Sequence, residues 1–320
     1  MRIDYPTSMM NVCRKSEWAV VLAGGDGTRL RSLTRKIAGD ERPKQFCSVL
    51  GRKTLLEEAR SRVALEIAPE RTLYVVNRIH EPYYAPLLHN ESARNFAVQP
   101  SNRGTAPAIL YGLMRIAAVD PEARVAFFPS DHYISDDEKF MAHVRTALNS
   151  AWQRPDLAIL LGLDPESPEV EYGWIEPAEP IGLQSSICGV RRFWEKPNHL
   201  LAQVLQLRGC LWNSFVMVAS VQALLQIMKR AVPLLYDSFL SFSPLLGTPD
   251  EPKLIDRLYE RMVEINFSHQ VLSHIPERLA VLKVTGIRWN DLGEPKRVMA
   301  SLDMAGIRPH WLDSALPQFA

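Results

Sequence analysis

The sequence predicts an α/β protein built on a mixed, mostly parallel sheet with helices on both faces, and three observations carry that prediction. Short apolar, β-branched runs alternate with segments of helical period through the first half of the chain. Those runs are almost continuously apolar, as strands covered on both faces are. The first of them stops at three glycines in four residues, Gly24, Gly25 and Gly27, and ligands of such sheets lie beyond the carboxyl ends of strands.

Trp18–Ala23 (WAVVLA) is the first strand. Thr54 then opens a helix, with Glu57 completing a capping-box pattern and Leu55, Leu56, Ala59, Val63 and Ile67 at helical spacing. Thr72–Val76 reads as a strand, Pro107–Ala118 as a helix, Arg124–Pro129 as a strand, Phe140–Trp152 as a helix and Leu157–Leu161 as a strand. That alternation is the pattern of βαβ units. From about Leu163 the prolines at 165, 168, 177, 180 and 197 cut the chain into short segments, which predicts hairpins and long loops. Arg191–Glu195 and Leu211–Ala219 read as strands, Val221–Arg230 and Pro252–Glu264 as helices, and Ala280–Val284 as a strand leading into a loop at Trp289–Gly293. A single domain over 16–310 is expected, between a flexible segment at 1–15 and a loosely docked tail at 311–320.

Bulk properties exclude several classes of function. The 320 residues carry a net charge of +1, so no global basic field attracts nucleic acid or an anionic membrane. No apolar stretch approaches the roughly 18 residues of a membrane span. The N-terminus has no apolar core followed by a small-residue cleavage site, so no signal peptide is expected. The cysteines, Cys13, Cys47, Cys188 and Cys210, are scattered and form no C-x-x-C pair. Free thiols in a cytoplasmic protein fit that spacing.

The glycine run carries the chemistry. Glycines let main-chain N–H groups close on a ligand, and successive N–H groups in a tight turn make an anion-binding concavity. Arg29 adds a planar fork of donors suited to phosphate, and an isolated lysine follows in Pro43-Lys44-Gln45. A Walker A loop would need Gly-Lys-Ser/Thr here, and a dinucleotide fingerprint a third glycine where Leu30 stands. A phosphate cradle of another kind is the remaining reading. Taken alone, Asp131 and Asp291 read equally as turn residues, Glu195-Lys196 as a solvated pair and Asn213 as a partner for backbone groups.

Seven segments in one order change that balance. LAGGDGTRL with PKQF, QPSNRGTAPAI, FFPSDH, EYGWIEP, FWEKP, LWNSF and RWNDLGE together resemble the sugar-1-phosphate nucleotidyltransferases, specifically the mannose-1-phosphate guanylyltransferases, from Trp18 to Glu294. The resemblance implies a Rossmann-like nucleotide-diphospho-sugar transferase fold, with a nucleotide-binding part at about 16–163 and a sugar-binding part at about 164–295. It implies that Leu22, Ala23, Gly24, Gly25, Gly27, Thr28 and Arg29 hold the nucleotide phosphates of GTP together with Lys44, while Gln99, Arg103, Gly104 and Thr105 read the base. Gly173, Glu195, Lys196 and Asn213 would bind mannose 1-phosphate, with Lys196 on its phosphate, and Asp131 and Asp291 would hold Mg²⁺. Arg29, Lys44 and Asp131 are the expected catalytic set. The implied product is GDP-mannose, for polysaccharide synthesis; no nucleic-acid or membrane partner is expected, and a homodimer is allowed. Another nucleotide and sugar phosphate, or a silent nucleotide-sugar-binding paralogue, are the alternatives.

The chain departs from the family at Asp26, at the longer stretch Thr34–Arg42, at Gly104 in place of asparagine and at Phe215 in place of glycine. A short form, without the isomerase domain of bifunctional relatives, is expected. His132 is expected to be structural, because a phosphate that is already anionic needs no base. Trp174, Trp194, Trp212 and Trp289 are expected as core or pocket walls.

Overall fold

A computed structural model describes residues 16–182 and 186–312. The strands, in chain order, are β1 (Glu17–Leu22), β2 (Thr72–Asn77), β3 (Phe96–Gln99), β4 (Arg124–Pro129), β5 (Tyr133–Ile134), β6 (Ala158–Leu163), β7 (Gly173–Pro180), β8 (Ile187–Glu195), β9 (Leu211–Ser220), β10 (Leu279–Val284) and β11 (Trp289–Asn290). Nine of them form one sheet in the order β3-β2-β1-β4-β9-β6-β10-β8-β7, and β5 pairs with β11 separately.

The sheet is parallel where the sequence alternates strand and helix: β3, β2, β1 and β4 all run the same way. β9 enters antiparallel between β4 and β6. β7 and β8 form the hairpin that the proline-broken stretch predicts, and β7 also pairs with β9 through Trp174↔Trp212. Alternate residues of one strand feed opposite faces, the period-2 consequence of the pleat. Val20, Val125 and Phe127 pack on one side, and Ala19, Val21, Ala126 and Phe128 on the other. Helices at Thr105–Val119, Val221–Ala231 and Pro233–Leu240 cover the first face; those at Leu55–Val63, Asp137–Gln153 and His199–Leu207 cover the second.

The expected capping box forms. Thr54 Oγ1 accepts from Glu57 N, and the Glu57 carboxylate accepts from Thr54 N. Its helix ends at Val63, so Ile67 is buried beyond the last turn. The helix expected at Pro252–Glu264 runs only Glu251–Glu260, which leaves 261–266 free to lie against another segment. One boundary is corrected. Trp311 and Leu312 belong to the fold, buried with Leu30, Leu33, Val49 and Leu302, and Trp311 Nε1 donates to Val49 O at 3.1 Å. Residues 1–15 and 313–320 lie outside the described residues, and Cys13 with them. Cys47 and Cys210 are buried free thiols, and burial pushes each up to about 11, which leaves them protonated and unreactive at neutral pH. No helix among the described residues is long and apolar enough to cross a membrane.

Candidate active site

Parallel pairing brings the carboxyl ends of β1, β3 and β4 to one edge, so the glycine loop, the Gln99–Thr105 segment and Asp131 meet there. Hydrogen bonds join these strand ends directly. Ala23 N donates to Val75 O at 2.8 Å, and Ser130 Oγ donates to Leu22 O at 2.8 Å. Gln45 Nε2 donates to Ala23 O at 3.2 Å and Gly25 O at 2.7 Å, a clasp on the loop that no sequence signal singled out. Gly27 has φ +57°, and a Cβ there would lie 3.0 Å from Pro43 Cα and from Lys44 N. The bare backbone therefore lets the loop close on the segment that carries Lys44. Thr28 opens the short turn Thr28–Leu30 that directs Arg29 outward, its side chain 51% exposed.

Lys44 is buried, and its placement ties the two aspartates together. Nζ lies 3.1 Å from Asp131 Oδ2, donates to Leu292 O at 3.2 Å and also donates to Asp291 O. Asp291 is held from several sides. Its Oδ1 accepts from Arg297 Nη1 at 2.8 Å, Gly293 N at 2.9 Å and the Tyr172 hydroxyl at 3.2 Å, while Oδ2 faces Arg29 Nη2 at 3.9 Å. Burial pushes this carboxyl up, but the nearby His132, Lys44 and Arg297 together hold it below the ordinary carboxylate range. Arg297 also reaches Glu169 at 3.0 Å and lies over the Tyr172 ring, 4.7 Å from its centroid. Glu169 and Arg297 were absent from the sequence reading; charged residues in a loop and a helix carry no local signal of such a contact.

Burial drives the His132 imidazole down to about 4, so it is neutral at pH 7. Its Nδ1 accepts from Trp289 Nε1 at 3.2 Å, and the rings meet edge to face. Trp212 and Trp289 are buried against Tyr172 and Trp174 against Trp212, whereas Trp194 is half-buried beneath the Arg192 guanidinium.

A cleft of about 350 Å³ opens beside the loop, lined by Leu22, Gly24, Gly25, Gln99, Thr105 and Phe215 among others. Gln99 is buried, its Oε1 accepts from the Tyr259 hydroxyl at 3.0 Å, and its Nε2 is turned toward Gly24. Three of the expected base-reading residues also meet the protein itself, and Gly104 and Thr105 line the cleft. Gly104 (φ +85°) lies against main chain: a Cβ would be 2.4 Å from Ile265 O. The Thr105 hydroxyl accepts from Phe267 N at 2.8 Å. Arg103 O accepts from Ile265 N at 3.0 Å, and its side chain is not part of the cleft lining, with Nε buried and unpartnered. Asp26, the acidic departure within the loop, accepts from Asn102 Nδ2 at 2.9 Å.

On the other side, register gathers the expected sugar residues. Gly173 pairs with Glu195 across the hairpin, and a Cβ on Gly173 would meet Glu195 Oε2 at 3.1 Å and Asn213 Cβ at 3.4 Å. Burial raises the Glu195 carboxyl above its ordinary value. Asn213 Oδ1 accepts from Phe215 N at 3.1 Å. Lys196 Nζ donates to Glu171 Oε2 at 3.1 Å. Positive φ at a non-glycine residue is uncommon and costly. Among the described residues it occurs at Lys196 (+45°), Phe215 (+62°) and Leu292 (+48°), and all three border this site.

The carboxylates of the two aspartates expected to hold a metal are hard oxygen donors, the type Mg²⁺ takes. Asp131 and Asp291 offer carboxylate oxygen, and no group of three or more His, Cys, Asp or Glu side chains gathers as a metal cage among the described residues. Mg²⁺ is bound through one or two carboxylates, with waters and phosphate oxygens completing its shell.

The chain is similar to known proteins over most of its length. Residues 18–301 match the family model described as Nucleotidyl transferase. The chain is 29% identical to the alginate biosynthesis protein AlgA of Pseudomonas aeruginosa over 86% of this chain and 56% of the relative. It is 31% identical to the mannose-1-phosphate guanylyltransferase of Escherichia coli K12 over 69% of this chain and 46% of the relative. The chain thus spans about half the length of these relatives. Among solved structures, the mannose-1-phosphate geranyltransferase from Thermus thermophilus superposes with a TM-score of 0.75 at 29% identity, covering 87% of this chain and 76% of that one.

Proposed function

The chain belongs to the nucleotidyl transferase family, and from that premise we propose that it transfers GMP from GTP to mannose 1-phosphate, giving GDP-mannose and pyrophosphate. A phosphate oxygen of the sugar phosphate attacks the α-phosphorus. The bond from the α-phosphorus to the bridging oxygen breaks, and its electron pair leaves with pyrophosphate. The attacking oxygen is already anionic, so no general base is required. Catalysis is then charge neutralisation and alignment of two polyanions.

The residues divide that work. Main-chain N–H groups of the glycine loop and Arg29 receive the triphosphate. Lys44, fixed between Asp131 and the Asp291 carbonyl, neutralises charge near the α-phosphate. Lys196 receives the sugar phosphate, and Glu195 and Asn213 bond the sugar hydroxyls. Asp131 and Asp291 would hold Mg²⁺, which supplies Lewis-acid neutralisation of phosphate oxygens when bound. The single observation that carries the reading is the adjacency of two cationic seats: Arg29 at the glycine loop and Lys196 at the sugar side share one carboxylate. The names of the mannose-1-phosphate relatives support the choice of substrates.

The test is pyrophosphate release from purified protein across a grid of nucleoside triphosphates and sugar 1-phosphates. GTP with mannose 1-phosphate is expected to give the highest rate. A preference for UTP or dTTP with glucose 1-phosphate would replace the substrates, and no release from any pair would leave a nucleotide-sugar-binding protein.

A further inference from the structure

Glu171 has no part in the reaction derived above, yet it sits at the centre of the cationic pair. Its Oε2 accepts from Arg29 Nη1 at 3.4 Å and from Lys196 Nζ at 3.1 Å. The two cations are about half exposed, 51% and 50%, so packing does not confine their heads. Lys196 makes no other ion pair among the described residues, and the second acid near Arg29, Asp291 Oδ2, is more distant at 3.9 Å. One carboxylate oxygen thus lies between two charges that would otherwise repel each other.

We propose that Glu171 is an internal place-holder for substrate phosphate: it keeps Arg29 and Lys196 at phosphate-binding separation in the empty site and competes with incoming phosphate for them. This rests on the reading that those two cations receive the phosphate-bearing substrates. An arriving phosphate carries more negative charge than a carboxylate and offers three oxygens, so it outcompetes Glu171 for both donors. The carboxylate, left beside a dianion, is then repelled and swings out; its side chain is 37% exposed and free to do so. When product leaves, the same carboxylate retakes the cations. Glu171 is therefore a positioning residue that sets how much sugar phosphate is needed to fill the site.

Glu171→Gln keeps shape and removes charge. Binding of mannose 1-phosphate and, separately, of inorganic phosphate to the full chain is measured by calorimetry at low salt. Both anions are expected to bind the variant about two- to fivefold more tightly, the scale of an exposed ion pair removed from competition. The gain is expected to vanish at about 1 M salt, where screening is nearly complete. It is also expected to shrink when Glu171→Gln is made in a Lys196→Ala background, because the competition for that lysine is then gone and only the one for Arg29 is left. Phosphate binding that is unchanged or weaker in Glu171→Gln overturns the proposal, as does a gain that is undiminished without Lys196. Inorganic phosphate separates this test from the substrate assignment. If mannose 1-phosphate binds neither protein while phosphate binds Glu171→Gln more tightly, the sugar is wrong and the place-holder stands.

Discussion

Replacing Gly104 with alanine tests the link between the base-side wall and the fold. The residue has φ +85° and ψ 178°, a region essentially reserved for glycine, and forcing a side chain into it costs roughly 1–3 kcal/mol. The new Cβ would sit 2.4 Å from Ile265 O, 2.8 Å from its carbonyl carbon and 3.0 Å from its nitrogen. Backbone cannot rotate aside as a long side chain can, so residues 264–266 must retreat by about 1 Å to reach ordinary contact. That retreat strains the two hydrogen bonds flanking the glycine, Ile265 N to Arg103 O and Ala106 N to Ile265 O, both 3.0 Å. At about 1 kcal/mol each, their loss with the backbone term gives roughly 3–5 kcal/mol if the segment stays docked. If the segment detaches instead, the hydrogen bonds and the edge-to-face contact of Phe267 with Phe215 are lost while the strain is relieved, and the cost is about 2–3 kcal/mol. Urea unfolding of Gly104→Ala should therefore show a loss of about 2–5 kcal/mol. The KM for the nucleotide should rise, because Glu264 and Asn266 line the cleft. An unfolding midpoint indistinguishable from the parent protein would refute the reasoning, since it would mean that nothing rigid stands where Ile265 O is placed.

Asp131→Ala and Asp291→Ala should each lower Mg²⁺-supported turnover by roughly 100-fold or more while the cooperative unfolding transition survives; wild-type turnover in both would remove them from the metal site. Arg297→Met leaves Glu169 and Asp291 facing each other without their shared cation, and should destabilise the fold by about 3 kcal/mol in urea. A change below about 0.5 kcal/mol would show that the arginine is dispensable there. Burial holds the His80 imidazole below its ordinary value, so the unfolded chain takes up a proton near pH 6.5 and the folded chain does not. Stability from this group is complete above about pH 6.5 and is lost as pH falls below it. His80→Gln should flatten the melting temperature between pH 7 and pH 5 relative to the parent protein, and an identical slope in the two proteins would place the proton elsewhere.

Much of the fold was legible locally, because strand and helix periods are set by nearest neighbours. Arg124–Pro129 was read with the bounds it has, and the capping box at Thr54 and Glu57 formed as written. Short or weakly patterned elements escaped: β3 is four residues long, and β7 carries two prolines within its eight residues. Their pairing comes from neighbouring strands and not from their own pattern. The site divides the same way. The glycine loop, Lys44, Asp131, Lys196 and Asp291 stood out as residue types in recurring segments. Gln45, Tyr172, Glu169, Glu171 and Arg297 did not, for each acts on a partner distant in the chain.

By itself the sequence determined the alternation of strand and helix, the bare-backbone loop and the identity of its cations and acids. Only the tertiary structure decided that residues 44, 131 and 291 share one point, that Gly104 is required by Ile265, and that Glu171 bridges Arg29 and Lys196. The physical reason is range. Backbone sterics and side-chain periodicity act within a few residues and are written locally, whereas a hydrogen bond or ion pair depends on where sheet register delivers its two ends.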